Sequence, residues 1–387
     1  MNTIKSTYWR IRAHLWPLLK GPTSLLAGVL GYKLLSKKQT VAYLNEYRIT
    51  THPASACTLP TVEDAADPAK ILFRETHFTT APSHVWRYES GTHKTTLLPC
   101  GLLLTDGKVL NTDYWADDAL GGVFRPTPRP QQPVHTLLAP LGHYFEGVKF
   151  VGYYDFMFLI AAKLCRIKES VPDDVFRKAV VAYPLIGTDY ERECLDLMGF
   201  SPERIVDSRL TEVRPQVCYL GNHDNWMYQN RADVLLLKKH LEPLIRTPQT
   251  GRTRLYISRA GRRRIVNEAD LAALLTRYDF TIIDDKPRSL VEQYALYHNA
   301  SFIIGPHGAS FTNLLWCQPG TQLLELFTAR FVQSHFLYLA QVLGLRYAGY
   351  CQDADVALDY RAIGSDILVS IPDLERCLEE IFAEKMG

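Results

Sequence analysis

Apolar and polar positions follow two rhythms along this chain. From Arg254 onward, short apolar runs (Arg254–Ser258, Phe280–Ile283, Phe302–Ile304, Gln322–Phe327, Arg346–Tyr350) alternate with segments whose apolar residues recur every three or four positions (Asn267–Tyr278, Leu290–Asn299, Ser334–Leu343). Apolar runs of four to eight residues bounded by turn residues read as buried strands, and the longer spacing reads as amphipathic helices. Strands alternating with helices in this way predict parallel βαβ units and a Rossmann-like domain. Two helix starts carry end signals. Asn267 precedes acidic Glu268 and Asp270, and Ser289 with Glu292 makes a capping box. A last amphipathic helix is expected over Pro372–Lys385, after the strands are used up, packing back across the domain junction.

The N-terminal half is less regular. Thr40–Asp67 predicts loops. Lys70–Glu75, Val85–Glu89, Thr95–Pro99, Leu102–Thr105 and Val109–Asn111 predict short strands, with a turn at Asp106-Gly107. The proline-rich stretch Phe124–Pro140 predicts an irregular connection, because proline lacks the N–H a strand or helix needs. Residues 149–167 predict a strand or turn leading into an apolar helix. Strands at Val180–Pro184, Arg204–Val206 and Val217–Leu220 then alternate with helices at Tyr190–Met198 and Leu235–Ile245. The expected organisation is a basic segment over 1–40, an α/β domain over 41–230, a Rossmann-like domain over 231–365 and a closing helix over 366–387.

Composition narrows the class. A chain of 387 residues with 47% hydrophobic and 22% charged residues suits a globular protein of two domains. Eight cysteines lie scattered without CxxC spacing, which predicts free thiols in a reducing compartment. The charge is uneven. Residues 1–38 hold Lys5, Arg10, Arg12, Lys20, Lys33, Lys37 and Lys38 and no acid, whereas the whole chain is only +2. Trp9, Trp16 and several leucines are interleaved, and the apolar run between Lys20 and Lys33 falls short of the roughly 20 residues that span a bilayer. Peripheral contact with an anionic membrane surface is therefore expected, with an ordinary basic hairpin as the alternative. No convincing signal-peptide cleavage site follows, so a cytoplasmic location is expected, at the inner face of the plasma membrane.

Candidate chemistry gathers around Ser301–Cys317 (SFIIGPHGASFTNLLWC), a strand, a Gly-Pro-His-Gly turn and a helix. A strand feeding a glycine turn and a helix exposes backbone N–H groups where anions bind. Ligands of open α/β sheets lie beyond the carboxyl ends of the strands. Arg259 follows one strand and His307 another, and a guanidinium beside helix amides suits a diphosphate. The alternatives are a surface charge for Arg259 and a backbone-bonded turn residue for His307. Thr312 and Asn313 are either ligand-facing or plain helix-surface groups. Glu325, inside the apolar strand LLELF, needs a partner, either a sugar hydroxyl or an arginine such as Arg259. The arginines at 252, 254, 259, 262, 263 and 264 lack the aromatic interleaving of a nucleic-acid module. Asp284-Asp285 and Asp353-Ala354-Asp355 are weak metal candidates, and no HExxH or GxSxG occurs.

The runs RLYISRAGRRRIVNEADLAALL (254–275) and SLVEQYALYHNASFIIGPHGASFTNLLWCQPGTQLLELF (289–327) resemble glycosyltransferase family 61. The shared features are an Ile-Ser-Arg strand end, Arg-x-x-x-Asn-Glu at a helix start, Glu-Gln, Gly-Pro-His-Gly-Ala with a later Asn, and a Glu-bearing strand. The resemblance covers about residues 250–350. It implies a GT-B fold, with two Rossmann-like domains facing across a cleft and the extra short strands lying in the N-terminal half. It implies inverting transfer from a nucleotide-sugar, foremost a UDP-sugar, to a glycan acceptor in surface-polysaccharide assembly, with no metal or other cofactor. The alternative is a non-catalytic nucleotide-sugar-binding subunit of an assembly complex. Carried over by position, the donor site comprises Ser258, Arg259, Asn267, Glu268, His307, Gly308, Ala309, Asn313 and Glu325. For the base that takes the acceptor proton, the family's histidine position is occupied here by Asp155, in Tyr153-Tyr154-Asp155-Phe156. His143 and the His223-Asp224 pair are its rivals, and capping the following helix is the other reading of Asp155.

Overall fold

In a computed structural model of the protein, residues 25–113, 128–141, 152–248, 251–329, 331–352 and 364–383 are described. The chain divides into two compact units. One is formed by Met1–Ser55 with Ala81–Leu241, the other by Ala56–Thr80 with Glu242–Gly387. The result is a mixed α/β protein.

The first unit is built on a six-stranded sheet in the order Ile205–Asp207, Val180–Tyr183, Gln131–Ala139, Glu212–Gly221, Ser83–Glu89, Arg48–His52. The first four strands are parallel to one another, and numbered along the chain they run 3-2-1-4, one half of a doubly wound nucleotide-binding sheet. The last two add antiparallel. Trp86, Tyr88, Leu137, Cys218 and Leu220 fill its core. The short strands Thr95–Leu97, Leu103–Thr105 and Lys108–Val109 make a small sheet of their own with Lys33–Leu34.

The expected irregular connection over Phe124–Pro140 is overturned in its second half, because Gln131–Ala139 is a central strand. Its Pro133 is tolerated for a local reason. The strand pairs with Glu212–Gly221 along its length, but pairing with Val180–Tyr183 begins only at Leu137. Pro133 therefore has a neighbouring strand on one side only, as at a sheet edge, where proline is tolerated. The loops expected over Thr40–Asp67 also contain more structure, including the edge strand Arg48–His52.

The second unit carries a five-stranded sheet in the order Phe280–Ile283, Thr253–Ile257, Ala300–Pro306, Gln322–Leu326, Arg346–Tyr350. Every pair is parallel, giving the order 2-1-3-4-5. Helices Glu268–Arg277, Leu290–His298 and His335–Leu343 connect the strands, with the short 3-10 helix Ala309–Trp316 after the Gly-Pro-His-Gly turn. The capping box of Ser289 and Glu292 is formed. The closing helix, Ile371–Ala383, buries Leu374, Cys377 and Leu378 in this same core. Residues 56–80 form two antiparallel strand pairs, one nested in the other along the chain, and Asp64 pairs with Gly349 of the last strand. The strand order reverses between Thr253–Ile257 and Ala300–Pro306, so the switch point where such sheets take ligands lies beyond Ile257 and Pro306. Among the described residues, no helix is long and apolar enough to cross a membrane.

Candidate functional site

Two loops leave the switch point of the second unit, Ser258–Arg264 and His307–Gly308. They meet through Arg259, whose Nη1 donates to the carbonyl oxygen of His307 at 2.8 Å. The approach depends on glycine. A Cβ on Gly308 would lie 1.7 Å from Arg259 Nη1, and one on Gly305 would lie 3.0 Å from the Ile257 carbonyl oxygen. The guanidinium thus rests against the start of the Ala309–Trp316 helix, whose first N–H groups have no helical partner.

A second arginine belongs here that was weighed only as part of a basic run. Arg263 is 4% exposed, its backbone is left-handed at φ 61°, and its guanidinium lies 5.6 Å from the centre of the Phe331 ring. Its Nε has no hydrogen-bond partner among the described residues. Burial, reinforced by the positive charges of Arg259 and Arg262, pushes its pKa down to about 9. Arg259 is shifted down for the same reasons, burial first and Arg262 next. Among the described residues neither arginine forms an ion pair with a carboxylate. A left-handed non-glycine residue costs about 1–2 kcal/mol, and a buried guanidinium without a counter-charge is costlier still. The second cost falls when an anion enters. The sequence signal was present in the Arg-x-x-x-Asn-Glu pattern, of which Arg263 is the first residue.

His307 positions the turn. Its ring is buried among Phe327, Phe331, His335 and Phe336, and its Nδ1 lies 2.5 Å from Glu325 Oε1. Glu325 also accepts the Tyr347 hydroxyl at 2.6 Å. Burial raises the Glu325 carboxyl to about 8 and holds the imidazole uncharged, well below its ordinary 6.5. The arginine partner expected for Glu325 is not found among the described residues: its bonds go to His307 and Tyr347, and Arg259 is engaged by a carbonyl.

The other donor candidates divide. Ser258 donates to Glu268 Oε1 at 2.7 Å, which also accepts Tyr256, so these residues fix the strand end next to Arg259. Asn267 is turned to the protein. Both ends of its amide bind the backbone of Val369, and it makes no side-chain cap. Asn313 is buried, donating to Gln293 and accepting from Trp316, so of Thr312 and Asn313 neither is a surface group. Gly308 and Ala309 remain at the helix start beside Arg259. Asp284 is paired with Lys286 and Arg288, and Asp285 accepts the Ala260 N–H. Asp353-Ala354-Asp355 and His143 lie outside the described residues, as does most of the basic segment.

In the first unit, Asp155 is 6% exposed. Its Oδ2 accepts the Gly152 N–H at 2.7 Å and its Oδ1 the Trp226 indole N–H at 2.5 Å. The capping bond is therefore formed, together with an unforeseen tie to Trp226. Burial lifts its pKa to about 6 against the lowering effect of both bonds. His223 follows the Glu212–Gly221 strand and is buried, with neither ring nitrogen hydrogen-bonded among the described residues. Burial, then the charge of Lys163, keep it neutral.

The site is thus the switch point of a parallel α/β sheet, where two arginines that form no ion pair with a carboxylate among the described residues stand beside the start of a short helix. Residues 136–324 match the family model Glycosyltransferase 61, so this part of the chain is similar to that family. The match starts within the central strand of the first unit, well before the motifs, and ends just short of Glu325. The chain is also similar to the xylan glycosyltransferase MUCI21 of Arabidopsis thaliana, with 30% identity over 128 residues. That alignment covers 31% of this chain and 26% of the plant protein, so the chain spans about a quarter of the relative it matches.

Proposed function

We propose that the protein is an inverting glycosyltransferase of polysaccharide biosynthesis, moving a sugar from a nucleoside diphosphate donor to a glycan hydroxyl. The observation that carries this reading is the pair Arg259 and Arg263, two cations without carboxylate partners at the switch point of a family 61 domain. A diphosphate has the charge they lack, and its oxygens suit the N–H groups at the start of Ala309–Trp316. As the bond from the anomeric carbon to the diphosphate breaks, negative charge grows on the leaving group, and preorganised guanidinium groups offset it most at that moment. His307 and Glu325 act at one remove by fixing the carbonyl that holds Arg259. The acceptor oxygen bonds to the anomeric carbon from the opposite face, and its proton passes to a base.

Asp155 is our choice for that base. Burial brings its pKa near neutrality, where a base works best, and its two N–H bonds leave lone pairs available. Two sheets, one wholly parallel and one with four parallel strands, each with a carboxyl edge, support a GT-B-type division of labour with the donor on the second unit and the acceptor on the first. The name of the plant relative makes xylan-like chains the first acceptors to try. Incubation with UDP-, GDP- and CMP-sugars and oligosaccharide acceptors tests the reading. Release of UDP with formation of an extended glycan is expected. Silence across the panel, or equal turnover by Arg259→Ala, would sink it.

A further inference from the structure

The carboxyl edge of the first unit's sheet gathers aromatic rings from three separate connections. Tyr153 and Tyr154 follow the Gln131–Ala139 strand, Tyr190 follows Val180–Tyr183, and Trp226 follows Glu212–Gly221. Tyr153 and Tyr190 are half-buried and meet edge to face with centroids 5.2 Å apart. Trp226 is 36% exposed, unlike Trp86 and Trp316, which are fully buried in the cores.

Trp226 is also held unusually firmly for an exposed side chain. Its indole N–H is fixed by the buried Asp155, and its ring edge meets Tyr154 at 5.7 Å. Its carbonyl accepts both the Tyr154 hydroxyl and the Gln229 amide. Asn225 closes the same turn by accepting from the N–H groups of Met227 and Tyr228. A rigid, partly exposed tryptophan retains apolar surface in water with its ordering cost already met, which favours binding. Burying the Asp155 carboxylate to fix it adds to the expense of the arrangement.

We infer that Tyr153, Tyr190 and Trp226 form the acceptor subsite, stacking on the apolar C–H faces of a pyranosyl chain whose hydroxyls are equatorial. Such a ring offers two flat apolar faces and a polar rim, the complement of aromatic faces set among carboxylate and amide groups. In this arrangement Asp155 has two roles: it holds the tryptophan, and it lies beside the hydroxyl that the platform presents. The inference rests on the glycosyltransferase reading.

The probes are xylohexaose and cellohexaose, followed by tryptophan fluorescence and saturation-transfer NMR, with UDP titrated separately. Trp226→Ala together with Tyr190→Leu should weaken oligosaccharide binding roughly tenfold or more, with UDP affinity unchanged. Trp226→Phe, which keeps an aromatic face, should stay within about threefold of the unmodified protein. The inference is overturned if the unmodified protein binds neither oligosaccharide, or if the double variant binds as tightly as the parent. Loss of UDP binding by the unmodified protein would instead strike the donor reading.

Discussion

Replacing Gly308 with alanine separates the donor site from the fold. The Gly308 backbone is extended, at φ 174° and ψ 171°, so alanine meets no conformational penalty. Its Cβ, however, would lie 1.7 Å from Arg259 Nη1 and 2.8 Å from Cζ. The guanidinium must move, and its 2.8 Å bond to the His307 carbonyl is lost. Arginine has a long flexible stem, so it can swing towards water. The fold then forfeits about 1 kcal/mol for the bond, while alanine returns about 0.4–1 kcal/mol by restricting the unfolded chain. Melting should hardly change. Diphosphate binding, by contrast, loses a charge-assisted contact of about 1.5–3 kcal/mol, which is about 10- to 150-fold in Kd. Calorimetric titration with UDP measures this, and a double-mutant cycle fixes its cause. In the Arg259→Ala background there is no guanidinium to displace, so adding Gly308→Ala should cost nothing further. Wild-type affinity in Gly308→Ala, or additive losses in the double variant, would refute the steric explanation.

Three further outcomes are expected. Arg263→Met should weaken UDP binding at least about tenfold yet melt no lower than the parent, since it removes a buried cation without a counter-charge; a drop in melting temperature would show that Arg263 supports the fold. Glu325→Ala should cost about 2–4 kcal/mol in urea unfolding, because the buried Tyr347 hydroxyl and His307 Nδ1 lose their partner, whereas Glu325→Gln, which can still accept from Tyr347, should cost less. Asp155 gives a pH test. Its folded pKa, about 6, exceeds the ordinary 3.8, so its favourable contribution is complete below the lower value and is lost as pH rises towards the higher, by about 1.4 kcal/mol per unit and about 3 kcal/mol in all. Unfolding curves of the parent and Asp155→Asn should therefore diverge between pH 4 and 6, and parallel profiles would contradict the burial argument.

Much of the second unit was legible because its strands are apolar throughout and its helices carry their own end signals. Phe280–Ile283 and Arg346–Tyr350 stand where the pattern puts them, and so does the helix begun by Ser289 and Glu292. The first unit hid its central strand behind Pro133, whose tolerance depends on which neighbour is short, a fact of register rather than of composition. In the insertion at 56–80 the strand Ile71–Phe73 lies within the predicted Lys70–Glu75, but its assignment to the second unit was unreadable for a similar reason, since the insertion packs on a strand nearly 300 positions later. In the site, position after a strand identified Arg259 and the turn, but spacing alone could not say which polar groups face inward. Asn267, Asn313 and Glu325 share motifs with Arg259 and have their bonds satisfied within the protein. Arg263 looked like one more charge in a basic run; only its burial and left-handed backbone set it apart.

The central claim is that a nucleoside diphosphate occupies the switch point of the second unit. A crystal structure of the protein with UDP tests it most directly. The account predicts the diphosphate within hydrogen-bonding distance of the Arg259 and Arg263 guanidinium groups and of the N–H groups that open Ala309–Trp316. A diphosphate bound elsewhere, or both arginines left without an anion at millimolar UDP, would contradict it.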